Sequence, residues 1–223
     1  MRNMTTNAYG YANHIRTYVQ ARPAGEPILT AAVADDLADT FGIDTDNAKN
    51  ITNVNIKRLS DKGELVRVQK GVYGRAADTA FGRVAPNTDE VMAALLLRDG
   101  DRTIGYITGP TLLNSVGLCT WMPKDIHITT NGFRRRIPRG ANIRSHKPVI
   151  PVNDDNVRYL RTIGTIEAME RYPVDAERPD EVLREILHRD NIDNERLIWF
   201  ARKYFGRRTL LRTIDVALGD IRI

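Results

Sequence analysis

Apolar residues recur every three or four positions through the first 61 residues and every second position over the next dozen, so the opening of the chain reads as helices followed by a hairpin. Residues 5–20 place Ala8, Ala12, Ile15 and Val19 on one side of a first helix, and Pro23 with Gly25 ends it. Thr30 is the expected N-cap of a second helix, with Ala32, Val33, Leu37 and Phe41 inward and Gly42 closing it. Asp44 or Thr45 caps a third helix that runs to about Asp61, with Ala48, Thr52, Ile56 and Leu59 as its buried stripe and Gly63 as its stop. Leu65, Arg67 and Gln69 then alternate with Val66 and Val68, Lys70-Gly71 makes a turn, and Val72-Tyr73 starts a return strand. Three helices and a two-stranded wing, in that order, make a winged helix-turn-helix.

After a loop at residues 76–86 containing Ala, Gly and Pro, the pattern changes. Asn87 with Glu90 three positions on predicts a capping box and a helix through Val91, Leu95 and Leu96 that stops at Asp99-Gly100. Strands are predicted over 103–107 and 125–129, with a short helix over 110–116 between them. Asn131-Gly132 is a hairpin signal, and its returning arm is Phe133-Arg134-Arg135-Arg136, with a further strand at 143–146. From about Thr165 the chain reads as helical, in segments at 166–171, 180–189, 195–204 and 209–218. The expected fold class is α+β: an N-terminal winged helix-turn-helix over residues 1–80, then a mixed α/β domain with a helical C-terminus over 81–223. No internal repeat or low-complexity tract interrupts either part.

The outward face of the third helix carries the first functional signal. If Ala48, Thr52, Ile56 and Leu59 face inward, Asn47, Asn50, Asn53, Val54 and Lys57 face out. A merely solvated face would more often carry Glu and Lys, and three Asn weaken the helix. Asn is the side chain whose amide pairs bidentately with adenine in the major groove, and Val54 suits a thymine methyl. Lys57 and Arg58 fall nearer phosphate, while Arg67, Lys70 and Arg75 surround the hairpin tip, where a wing meets the sugar-phosphate backbone. The bland reading of the same residues is a polar helix face and a hairpin whose charges keep its edge soluble.

Composition narrows the remaining classes. With 223 residues, 42% hydrophobic, 27% charged and a mean hydropathy of -0.38, disordered, collagenous and disulfide-scaffold proteins are excluded. No apolar run approaches the roughly 20 residues of a membrane span. The N-terminus lacks the apolar stretch of a signal peptide, so a cytoplasmic protein without a membrane partner is expected. Cys119 is the single cysteine, which rules out an intramolecular disulfide and a Cys-based zinc site within one chain. The net charge of +5 has one source: residues 133–147 hold six Lys and Arg and no Asp or Glu. That cluster, Arg134, Arg135, Arg136, Arg139, Arg144 and Lys147, suits DNA, RNA or an acidic partner surface, or is simply a solvated face.

Two stretches carry a family resemblance. Leu59-Ser-Asp-Lys-Gly-Glu-Leu-Val-Arg-Val-Gln-Lys-Gly-Val-Tyr73 resembles the end of the winged helix in AbiEi-type antitoxins of type IV toxin-antitoxin systems. Ile107-Thr-Gly-Pro-Thr-Leu-Leu-Asn-Ser-Val-Gly-Leu118 and Pro123-Lys-Asp-Ile-His-Ile-Thr-Thr-Asn-Gly132 resemble the start of the domain that follows it there. The resemblance covers roughly residues 5–150; Thr111-Leu112 and Trp121 depart from it, standing where small residues and Gln are expected. It implies a transcriptional repressor that binds inverted repeats in its own promoter, as a monomer or weak dimer on double-stranded DNA. The second domain would counteract a nucleotidyltransferase-like toxin without requiring a stable complex. Carried over, DNA reading falls on Asn50, Asn53 and Lys57, and the wing role on Arg67 and Lys70. The family supplies no catalytic residue.

Signals for catalysis are weak. His14, His127, His146 and His188 lack metal-ligand spacing and read as ordinary surface or core residues. Cys119, between Leu118 and Trp121, reads as packing. His188-Arg-Asp-Asn191 has no accompanying glycine-rich loop, and Gly105 with Gly109 lacks the Gly-Lys-Ser/Thr ending of a phosphate loop. Asp154-Asp155 and Glu167 with Glu170 are carboxylates without the Lys a nuclease would place beside them. No enzyme activity, cofactor or metal is expected. The rival to an antitoxin is a winged-helix regulator whose second domain senses a ligand or binds a protein, which would require a pocket.

Overall fold

The structure is a computed structural model that describes residues 3–24, 26–80, 82–135, 137 and 140–219. It is mixed α and β and divides into two compact units. The first runs to Leu95 and also takes in Gly140 and Ala141; the second holds the rest of the chain from Leu96. Among the described residues, no helix is long and apolar enough to cross a membrane.

In the first unit, α1 (Asn3–Gln20), α2 (Thr30–Phe41) and α3 (Thr45–Asp61) pack around Ile15, Val19, Val33, Leu37, Ala48 and Ile56, all at most 2% exposed. A three-stranded antiparallel sheet closes the unit: β1 (Pro27–Leu29) pairs with β3 (Val72–Arg75), which pairs with β2 (Leu65–Gln69). Asp44 caps α3, its carboxylate accepting from the backbone N–H groups of Asp46 and Asn47 at 3.1 and 3.0 Å. The predicted stripe of Ala48, Thr52, Ile56 and Leu59 is the buried one.

Thr30 does not cap α2. It is the first helical residue, and its backbone N–H donates to the Gly71 carbonyl at 3.0 Å, because the unforeseen strand β1 brings the chain up against the hairpin turn. Gly71 sits at φ +78°, which glycine adopts without penalty, so the turn is both tight and tied to the start of α2. Nor is the inner face of α2 quite the expected one. Ala34 is buried with Val33 and Leu37, whereas Ala32 is exposed and Phe41 is 39% exposed. The unit continues through a small hairpin, β4 (Ala77–Thr79) and β5 (Gly82–Val84), and α4 (Thr88–Leu97) follows. At the head of α4, Asn87 accepts from the Asp89 backbone N–H, while Glu90 meets the Asn87 side-chain amide at 3.4 Å, short of a full capping box.

The second unit contains a short hairpin, β6 (Arg98–Asp99) and β7 (Arg102–Thr103), followed by β8 (Gly105–Ile107), α5 (Gly109–Ser115), β9 (Ile126–Thr130) and β10 (Ile143–His146). Four helices complete it: α6 (Val157–Arg171), α7 (Pro179–Arg189), α8 (Asn194–Tyr204) and α9 (Arg207–Leu218). The sheet order is β10-β9-β8, with β8 antiparallel and β10 parallel to β9. Tyr159, Leu160, Ile163 and Ile166 of α6 sit at the centre of this unit's core, against Leu113, Leu183, Leu197 and Phe200.

Two expectations fail here. Asn131-Gly132 does not turn a hairpin, and Phe133, Arg134 and Arg135 form no strand. The Asn131 side chain is spent on a different job, donating to the Val152 carbonyl and accepting its N–H, both at 2.8 Å. Successive turns then carry the chain away, through hydrogen bonds from Phe133 N to Thr130 O and from Arg135 N to Gly132 O. The connection is long enough for β10 to return parallel to β9, as a parallel pair requires. Helix α6 also begins well before Thr165; Thr162 and Thr165, poor helix formers alone, bond back to the carbonyls of Arg158 and Arg161 and are buried by the core.

Candidate nucleic-acid interface

The inward stripe of α3 turns its opposite face to solvent. Asn47, Asn50, Asn53, Lys57 and Arg58 are exposed, as is Val54 at 50%. The side of that face nearer the hairpin forms one wall of an open groove of about 630 Å³, whose other wall is the hairpin turn. Asn53 and Lys57 line it from α3, with Lys49 and Asp61, while Arg67 of β2, Lys70 of the turn and Tyr73 of β3 line it from the hairpin. The tether from Thr30 to Gly71 fixes where the turn stands, so the cations of helix and hairpin are held around a common space.

Their charges are largely uncommitted. Lys57, Arg67 and Lys70 enter no ion pair among the described residues. Lys49 meets Asp46 at 3.2 Å, but both are exposed, and such a pair is worth about 0 to 1 kcal/mol. Thr30 and Tyr73 were missed as groove residues in the sequence because their place there follows from the turn's tether, whereas Lys49, four and eight residues before Asn53 and Lys57, shares their stripe by helix period alone.

Not every candidate joins this groove. Arg58 lies on the other flank of α3, lining a separate groove of about 250 Å³ with Arg16 and Lys62. Asn47, Asn50 and Val54 are exposed but line neither groove. Arg75 is a correction: it does not surround the hairpin tip but pairs with Leu65 at the base, four residues beyond the turn and so about 13 Å along the strand. It is half-buried, and its Nε is buried without a hydrogen-bond partner among the described residues.

The described members of the basic cluster of residues 133–147 stand in different surroundings. Arg134 is exposed with its guanidinium 5.4 Å from the Phe133 ring centre, and Arg135 is half-buried with its side chain folded over Gly132. Arg144 is ion-paired with Asp125. Lys147 is exposed beside a separate cleft in the second unit. Arg136 and Arg139 lie outside the described residues.

The remaining titratable residues sort by environment. His14 contacts Asp36 at 2.7 Å, and His188 stands in the last turn of α7. Cys119 is buried, and burial, then the nearby charge of Asp175, pushes its thiol up, away from nucleophilic character. Glu167 pairs with Arg171 at 2.6 Å and Glu170 with Arg208 at 3.4 Å, while Asp154 accepts from the Thr103 backbone N–H. Among the described residues, no three His, Cys, Asp or Glu side chains gather as a metal site. His127 and His146, 19 residues apart, do meet: the parallel pairing of β9 and β10 sets His146 Nε2 3.2 Å from His127 Nδ1. Spacing along the chain gave no hint of this, since the contact depends on strand register.

Residues 36–193 match a family of unknown function, DUF6088, and the chain belongs to that family. The matched stretch takes in α3, the β2–β3 hairpin and the sheet of the second unit. Comparison with curated proteins gives no match.

Proposed function

We propose that this member of the DUF6088 family is a winged-helix DNA-binding repressor and antitoxin. On this reading, α2 and α3 with the β2–β3 wing form a winged helix-turn-helix, and α3 enters the major groove of double-stranded operator DNA. Asn50 and Asn53 read base edges, Lys57 and Lys49 contact phosphate, and Arg67 and Lys70 of the wing hold the flanking backbone. The observation that carries the proposal is the groove itself: the exposed Asn53 amide and the unpaired Lys57 of α3 face Arg67 and Lys70 of the hairpin across one open space. A 17-residue helix is about 25 Å long, ample for a run of base pairs. The resemblance to AbiEi-type antitoxins supplies the second half, neutralisation of a nucleotidyltransferase-like toxin by residues 81–223, with no catalysis by this chain.

The test is fluorescence anisotropy at two salt concentrations, against DNA from upstream of the chain's own gene and a shuffled copy of equal composition. Tight binding confined to the native fragment supports the repressor; weak, steeply salt-dependent binding to both removes groove reading. Co-expression with an adjacent nucleotidyltransferase-like reading frame then tests the antitoxin role, and failure to protect cells removes it. A second reading, a winged-helix regulator with a ligand-sensing second domain, is favoured by one observation, the His127–His146 cleft of about 240 Å³ in the second unit.

A further inference from the structure

The cleft is framed by β8, β9, β10 and α6 and contains the contact between His127 and His146, whose rings stack 5.2 Å apart. Its floor is kept clear by two glycines. Gly109 has φ +62° and passes so close to His127 that a Cβ would stand 3.2 Å from Nδ1. Gly164, inside α6, would direct a Cβ toward the Tyr106 ring and the Thr108 hydroxyl, into the cavity, at ordinary contact distances of 3.5 and 3.7 Å. Tyr106 and Thr129, which share a hydrogen bond, line the interior, and Tyr172 stands edge-on to His127. Burial pushes the Tyr106 hydroxyl up to about 12, so it stays a neutral donor at physiological pH.

Charge decides what fits. The two carboxylates beside the imidazoles are neutralised, Glu167 by Arg171 at 2.6 Å and Asp125 by Arg144. That leaves Lys147, which enters no ion pair among the described residues, and two imidazoles that each commit one ring nitrogen to the other, His127 Nδ1 to His146 Nε2. Both histidines are held below their ordinary value, first by burial and then by neighbouring positive charge: His146 and Arg144 act on His127, and Arg144 and Arg171 act on His146. The same cations that repel a proton, or a metal ion, attract an anion. A volume of about 240 Å³ falls just below the roughly 300–1,000 Å³ of drug-sized pockets, which suits a compact ligand.

We infer that the cleft binds a small phosphorylated ligand, its phosphoryl oxygens taken by Lys147 and the His127–His146 pair. A phosphate monoester titrates near pH 6, close to imidazole, so ligand and pair can share a proton, and the Tyr106 and Thr108 hydroxyls offer further hydrogen bonds. Phe205 and Tyr172 give the cleft an aromatic side for whatever the phosphoryl group is attached to. This deepens the ligand-sensing reading and rests on the cleft alone; whether the first unit reads DNA does not enter.

The test is NMR of the imidazole resonances in the full-length protein, without DNA, titrated with inorganic phosphate and separately with a nucleoside 5′-monophosphate, against sodium chloride of matched ionic strength. Saturable shifts of both His127 and His146 with phosphate, together with a rise in their apparent pKa, support the site. Tighter binding of the nucleotide would assign the aromatic side to a base, and equal binding would assign recognition to the phosphoryl group alone. Lys147→Glu, on an exposed side chain, is expected to weaken binding on the order of tenfold or more without lowering the melting temperature. Gly164→Ala is expected to fold and to bind less. Shifts reproduced by sodium chloride, or binding unchanged in Lys147→Glu, overturn the proposal. A response of the histidines to zinc but not to phosphate overturns it in favour of a metal site.

Discussion

The two units handle positive charge in opposite ways. Around α3 and the hairpin, Lys57, Arg67 and Lys70 are exposed, unpaired and arranged about one open groove, although the sequence there has little net charge. The cluster at residues 133–147 dominates the net charge of the chain, yet of its members in the second unit Arg144 is paired with Asp125, Arg135 is folded against Gly132, and Lys147 lines a cavity. The helices repeat this: Arg171, Arg208 and Arg212 meet Glu167, Glu170 and Asp180. A count of charges along the chain therefore does not tell which cations lack a partner and face the same space.

That contrast is most exposed to a charge reversal. Lys57→Glu combined with Lys70→Glu is expected to weaken DNA binding on the order of a hundredfold on every sequence and to flatten its salt dependence, while Arg144→Ala changes it by less than about threefold. Anisotropy titrations measure both, and equal losses would erase the distinction between committed and uncommitted cations. Asn53→Ala is expected to cost about 1 to 3 kcal/mol at one operator position and nothing on random DNA. A uniform loss would leave the groove as a phosphate contact without base reading.

Stability separates the units further. Thr52 is 1% exposed, with its hydroxyl buried and unpartnered among the described residues, so Thr52→Val is expected to stabilise the first unit by about 1 kcal/mol in denaturant unfolding. A destabilised variant would mean that the hydroxyl has a partner in solution. The smallest effect is the pH response of the second unit. Because His127 and His146 titrate below their ordinary value of 6.5 when folded, the unfolded chain takes up protons first as pH falls. Their contribution is complete above about pH 6.5 and is lost below it, so melting is expected to be lower at pH 5.5 than at 7.5. Replacing both with Gln should flatten that slope. Asp154 and Asp175 are held below the usual carboxylate range by hydrogen bonds from Thr103 and Thr120 and lose their effect only at more acid pH, so the two windows stay distinct.

By itself, the sequence determined what local periodicity and capping control. The α3 stripe of Ala48, Thr52, Ile56 and Leu59, its Asp44 cap, the Lys70-Gly71 turn and the last three helices were all legible, because each depends on residues within a turn or two of one another. Only the tertiary structure decided the features that depend on partners far along the chain. Strand β1 and its bond from Thr30 to Gly71 turned an expected cap into a tether, and Val152 drew Asn131 out of a hairpin and into a bridge. Arg75, assigned to the hairpin tip from its sign, was carried to the base by strand geometry, and Arg144 was neutralised by an aspartate 19 residues away. His127 and His146 became neighbours because parallel strands fix a register that no spacing rule contains. Helix period is a property of a segment, whereas ion pairing, strand register and the walls of a groove are properties of segments brought together by a common core.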